Sequence, residues 1–235
     1  MMSARRAARV AGVLYIVGTV AGVLSRVSSS SVTGAADPLN EAAKHSNAVA
    51  TTALFVVLMG MSLAFIPVVL FPVLRRIDET LAIGYLIVRG AIETTCYVVI
   101  AVGWLLLAPL HGVVAAGAGT ASADLRDVLT ANGVLALVFC LGAAMFYVLL
   151  YRSGIVPRWI AGWGLAAIPL YLAADLLGMY GAVGIDSTAQ SLLFAPLAIQ
   201  EMVLAIWLIA RGFLHTTTPG SGETPSRPAR HAVVA

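Results

Sequence analysis

Residues 48–76 read AVATTALFVVLMGMSLAFIPVVLFPVLRR. No charged side chain occurs from Ala48 to Leu74, and then Arg75 and Arg76 arrive together. An α-helix rises about 1.5 Å per residue, so about 20 apolar residues cross a hydrocarbon core about 30 Å thick. This stretch is long enough to span a bilayer as one helix, and the arginine pair marks where it leaves. Pro67 lies within it. A proline removes one helix hydrogen bond and favours a kink, which membrane helices tolerate where neighbours re-satisfy the backbone.

Five other stretches fit the same template, at about residues 8–24, 81–108, 132–151, 159–179 and 189–212. Pro169 and Pro196 lie inside the last two. The expected fold class is therefore all-α, a polytopic membrane bundle of six transmembrane helices. Composition agrees. Hydrophobic residues make up 60% of the 235 positions and charged residues 11%, against about 45–50% and about 25% in soluble domains. Mean hydropathy is +0.95. A soluble fold of this size keeps too much of its area in water to hide so much apolar surface. The lipid bilayer is the expected partner. A formal net charge of +3 is no nucleic-acid signature.

Where the basic residues sit gives an orientation. Arg5, Arg6 and Arg9 precede the first span, Arg75 and Arg76 join the second to the third, Arg152 and Arg158 join the fourth to the fifth, and Arg211 ends the sixth. Arg26, Lys44 and Arg126 fall on the other side. By the positive-inside rule the richer side is cytoplasmic, which makes the chain N-in and C-in in a plasma (inner) membrane. The first run lacks a small-residue cleavage pattern and reads as an uncleaved span. Asp37-Pro38 has the chemistry of a helix start, a capping carboxylate before a proline. Short extracytoplasmic helices are expected at about residues 38–45 and 123–130. Residues 1–214 read as one transmembrane domain. Residues 215–235, rich in Thr, Pro, Gly and Ser, read as a disordered tail.

Ionisable residues at bilayer depth are the informative ones, because they are costly there. Arg89 and Glu93 stand four apart in the third span, and Gln200 and Glu201 are adjacent in the sixth. The rise per residue puts Arg89, Glu93 and Glu201 at middle depth, where they can meet if the third and sixth spans are neighbours. Together with Gln200 they form the candidate intramembrane polar cluster. Asp175, near the outer end of the fifth span, is a separate candidate. Such a cluster serves either to lock helices together or to hold a ligand, an ion or a proton.

Catalytic and metal chemistry find no support. His45, His111, His215 and His231 are scattered, with no ligand spacing. No HExxH, P-loop, GxSxG or dinucleotide fingerprint occurs. Cys96 and Cys140 lie in apolar runs and read as buried thiols. No catalytic residue, metal ligand or cofactor is expected. Trp104, Trp159, Trp163 and Trp207 read as interfacial anchors. Gly18 and Gly22 form a small-xxx-small face on the first span, expected to pack within the bundle.

Several stretches, in order, resemble a known family. Ala11-Gly12-Val13-Leu14-Tyr15 follows a basic start. Asp78-Glu79-Thr80-Leu81-Ala82 precedes Tyr85-Leu86-Ile87-Val88-Arg89-Gly90-Ala91-Ile92-Glu93. Leu149-Leu150-Tyr151-Arg152-Ser153 leads to Val156-Pro157-Arg158-Trp159-Ile160. Gln200-Glu201-Met202 precedes Trp207-Leu208 and Arg211-Gly212-Phe213. The set resembles the bacterial membrane family catalogued as domain of unknown function 4386. That resemblance implies a six-span bundle with the Arg/Glu pattern of spans three and six, and it implies no activity. Three readings stay open. The protein binds or moves a small molecule, lipid or proton at the cluster; it is a structural or regulatory partner of another membrane protein; or it is a membrane-embedded lipid-modifying enzyme.

Overall fold

A computed structural model describes residues 3–35, 37–114, 133–184 and 187–214. The expected helix at 123–130 and the tail at 215–235 lie outside the described residues. Six helices among the described residues are long and apolar enough to cross a membrane, and no strand occurs among them. The first span is α1 (Ala4–Thr33). A short helix, α2 (Pro38–Lys44), leads into the second span, α3 (Ser46–Leu74). The third span is α4 (Glu79–Ile87), a π-helical turn (Val88–Ile92) and α5 (Glu93–Val114). The last three are α6 (Gly133–Ser153), α7 (Arg158–Met179) and α8 (Thr188–Ala210).

Local chemistry sets several helix starts. The Asp37 carboxylate accepts from the Asn40 amide at 3.2 Å with proline in the first turn. Asp78 accepts from the Leu81 amide at 3.0 Å, and the Ser187 hydroxyl accepts from the Gln190 amide at 3.2 Å. Each satisfies an amide that the first helical turn leaves without a partner. At α2, Lys44 donates to Glu41 at 2.8 Å, and that contact holds the Glu41 carboxyl below its ordinary range.

α1 is longer than its apolar run at residues 8–24. It continues through Arg26 and the serines at 28–31 to Thr33. The hydroxyls turn back on the helix's own carbonyls: Ser25 donates to Gly22, Ser28 to Leu24, Ser30 to Val27 and Thr33 to Ser29, at 2.8–3.2 Å. Such back-bonding satisfies hydroxyls internally and lets a helix carry polar residues onward.

The spans pack as a ring in chain order. α1 lies on α3, α3 on α5, α4 and the π-turn on α6, α6 on α7, α7 on α8, and α8 back on α1. One end of the ring gathers the arginine-bearing joints. There the Leu214 amide donates to the Ile155 carbonyl at 2.8 Å, and Gly212 packs against Arg5. α2 covers the opposite end against α5 and α1, burying Leu39 and Ala42. Large apolar side chains such as Leu54, Phe65, Val99, Leu141, Leu192 and Ile206 point outward and are exposed. A water-facing surface would not carry so wide an apolar belt, and a bilayer accepts it. Small residues face inward. Ala8, Ala11 and Gly12 are buried on α1, and a Cβ on Gly12 would fall 2.6 Å from the Ala205 carbonyl oxygen of α8. Gly18 and Gly22 meet Leu63 and Met59 of α3, so this small-residue face packs inside the bundle, as van der Waals-driven helix association favours.

Candidate functional site

The third span changes helix type at its polar residues. The Glu93 amide donates to the Val88 carbonyl, five residues back rather than four. π-turns of this kind recur at functional sites. Thr94 supports the turn by donating to the Gly90 carbonyl at 2.9 Å. Gly142 of α6 lets a neighbouring backbone come close, since a Cβ there would stand 3.4 Å from the Arg89 Cβ. The result is a sealed cation: Arg89 is 1% exposed and Glu93 fully buried.

Arg89 stands between two carboxylates. Nη1 is 3.8 Å from a Glu93 oxygen and Nη2 is 3.7 Å from a Glu201 oxygen. These are ion-pair distances, longer than hydrogen bonds. Arg89 Nε and Nη2, both Glu93 oxygens and Glu201 Oε1 are buried with no hydrogen-bond partner among the described residues. Two aromatic rings complete the shell: the guanidinium carbon lies 4.9 Å from the Phe139 ring centre and 5.8 Å from that of Tyr15. Such placements attract a cation to the ring face. Arg89 and Glu201 meet although their spans are not neighbours. Spans three and six are three places apart in the ring, and the long arginine side chain reaches across the interior.

Gln200 does something else. It accepts from the Tyr147 hydroxyl at 2.6 Å and donates to the Ile160 carbonyl at 2.9 Å. It ties α8 to α6 and α7 and is fully buried. Gly164 leaves room for Tyr147, whose ring atoms lie 2.8 Å from where a Cβ would stand. Gly60 does the same for Tyr97, at 2.7 Å.

Glu201 differs from its partners in exposure, with 16% of its side chain accessible. It forms part of the wall of a cavity of about 430 Å³. The cavity follows α1 from Thr33 and Arg26 to Gly18 and draws on all six spans. Its walls are aromatic at Tyr97, Trp104, Phe139, Tyr171 and Phe194, and polar at Ser25, Ser29, Thr52, Asp175 and Glu201. Arg89 and Glu93 lie behind this wall. Asp175, expected to stand apart, joins the same cavity, whose lining also includes Arg26.

The sequence reading missed the tyrosines. Tyr15, Tyr85, Tyr97 and Tyr147 are buried, and Tyr171 packs in the wall with its ring tilted against those of Phe139 and Phe194. Their signal was depth. Tyrosine prefers the bilayer interfaces, and Tyr15, Tyr97 and Tyr171 lie well inside their spans, while Tyr85 and Tyr147 stand nearer the span ends. Trp104 is no exposed anchor either; it is 7% exposed and lines the cavity. Cys140 is buried and Cys96 is half-buried.

Fold and site define a multi-pass helical membrane protein with a buried Arg/Glu pair at the wall of an intramembrane cavity. The chain belongs to the family described as domain of unknown function (DUF4386), whose profile matches residues 10–212. No curated protein and no solved structure matches it.

Proposed function

We propose that the protein binds a small molecule within the bilayer, in the cavity that reaches Glu201, as a binding or transport protein of the plasma membrane with both ends cytoplasmic. The observation that carries this reading is Glu201 itself, an acid at middle depth that is paired on one side and open to a cavity on the other. A helix-locking cluster has no need of an accessible member. At about 430 Å³ the cavity falls within the range of small-molecule sites, about 300–1,000 Å³, and its mix of aliphatic and aromatic walls with convergent polar groups suits one. Arg89, Glu93 and Glu201 serve as the polar anchor. Gln200 supports the helix that carries Glu201, and Asp175 lines the approach.

Native mass spectrometry of gently purified protein tests the reading. Ala198→Trp puts a bulky ring into the cavity wall. The wild type is expected to carry a lipid or small-molecule adduct that Ala198→Trp lacks. Identical adduct patterns in the two proteins would leave the cluster a packing device in a structural partner protein.

A further inference from the structure

We infer that the ligand is an amphipathic organic cation whose charged head sits at Glu201 and whose apolar body lies among the aromatic walls. The inference rests on the cavity reading above and deepens it.

Three observations converge. First, among the described residues the charges that line the cavity are two acids, Glu201 and Asp175, and one base, Arg26. The acids in this lining outnumber the base by one, and Glu201 is the inner of the two acids. The other nearby cation, Arg89, is sealed behind the wall at 1% exposure, so an anionic ligand entering the cavity finds a carboxylate in front of the guanidinium. Second, Tyr97, Trp104, Phe139, Tyr171 and Phe194 line the same space. Ring faces carry partial negative charge and attract ammonium groups, quaternary ones included. Third, Arg89 has an alternative partner. Glu93 lies 3.8 Å from it and Glu201 lies 3.7 Å away. A ligand cation that takes Glu201 leaves the guanidinium paired with Glu93. With both acids ionised, the trio of Arg89, Glu93 and Glu201 carries one net negative charge, and one monocation completes it.

The test uses three probes of similar shape: benzyltrimethylammonium, its neutral carbon isostere neopentylbenzene, and benzenesulfonate. Binding to purified full-length protein in a neutral detergent is measured by equilibrium dialysis, counting only the fraction lost in Ala198→Trp. The cation is expected to bind saturably and at least about tenfold more tightly than the isostere. Glu201→Gln should remove that advantage and leave the isostere unchanged. Trp104→Leu, which keeps every charge, should weaken the cation more than the isostere, and it serves if Glu201→Gln does not fold. Equal affinity for cation and isostere, or displacement by benzenesulfonate, overturns the cation assignment while the cavity reading stands. Absence of binding by all three probes, together with identical adducts in wild type and Ala198→Trp, overturns both.

Discussion

Among the described residues, charge and ring faces surround Arg89, and its Nε and Nη2 have no hydrogen-bond partner. Its nearest carboxylate oxygens lie at 3.7 and 3.8 Å, in a site from which bulk water is excluded. A charge in such a place is costly to leave alone. Truncating one partner of a buried ion pair costs on the order of 3–5 kcal/mol in soluble proteins, whereas interhelical polar contacts in bilayers average about 0.6 kcal/mol. The loss for Arg89→Leu is expected between these values, read as thermal unfolding in detergent. Adding Glu201→Leu should restore part of it, because one orphaned acid is removed, while Glu93 remains and keeps the recovery incomplete. Losses that simply add in the double mutant would show that the two residues do not interact. The polar members of this site were legible from residue type and depth alone. Arg89, Glu93 and Glu201 are rare residues where they stand, and the structure brings them together. The aromatic members were not legible, because tyrosine in an apolar run reads as ordinary hydrophobic bulk until its depth is considered. Gln200 was misleading for a related reason: adjacency to Glu201 in sequence puts its side chain on a different helix face.

At the scale of the element, close packing is set by glycines placed opposite rings. α7 provides a matched pair of tests. A Cβ on Gly164 would fall 2.8 Å from the Tyr147 ring, while one on Gly162 would meet the Tyr151 ring at an ordinary 3.6 Å. Gly164→Ala therefore forces Tyr147 aside and strains its 2.6 Å hydrogen bond to Gln200. Overpacking of this kind costs about 1–3 kcal/mol. Gly162→Ala should be neutral or stabilising, by up to about 1 kcal/mol from helix propensity. Unfolding midpoints of the two variants check this, and a Gly164→Ala protein as stable as Gly162→Ala would refute the close approach. The spans themselves were readable because length and hydropathy decide them. The far end of α1 was not, since Arg26 and the serines at 28–31 look like a loop, and the back-bonding that satisfies the hydroxyls of Ser28, Ser29 and Ser30 within the helix shows only in the structure. The π-turn had no signal either. One residue added to a turn leaves the apolar pattern of a membrane helix unchanged, because the lipid-facing side is apolar throughout.

On the scale of the whole molecule, a ring of six helices leaves an interior that must be filled or used. Small residues draw α1 onto α3 and α8, tyrosines fill the centre around Arg89, and the remaining space is the cavity running from Thr33 to Glu201. The basic joints gather at the opposite end of the ring. If that end is cytoplasmic, as the arginine bias implies, the cavity approaches Glu201 from outside the cell. One labelling experiment tests accessibility and orientation together. In a chain with Cys96 and Cys140 replaced by alanine, single cysteines are introduced and a charged, membrane-impermeant thiol reagent is added outside intact cells. Ala198 lines the cavity and is exposed, and Ile199, next to it, is 55% exposed on the lipid-facing surface. Ser46 and Glu79 mark the two ends. Ala198→Cys and Ser46→Cys are expected to react, and Ile199→Cys and Glu79→Cys to stay unlabelled. An Ala198→Cys protein that remains unlabelled until denatured, while Ser46→Cys reacts, would contradict an open path from outside the cell to Glu201.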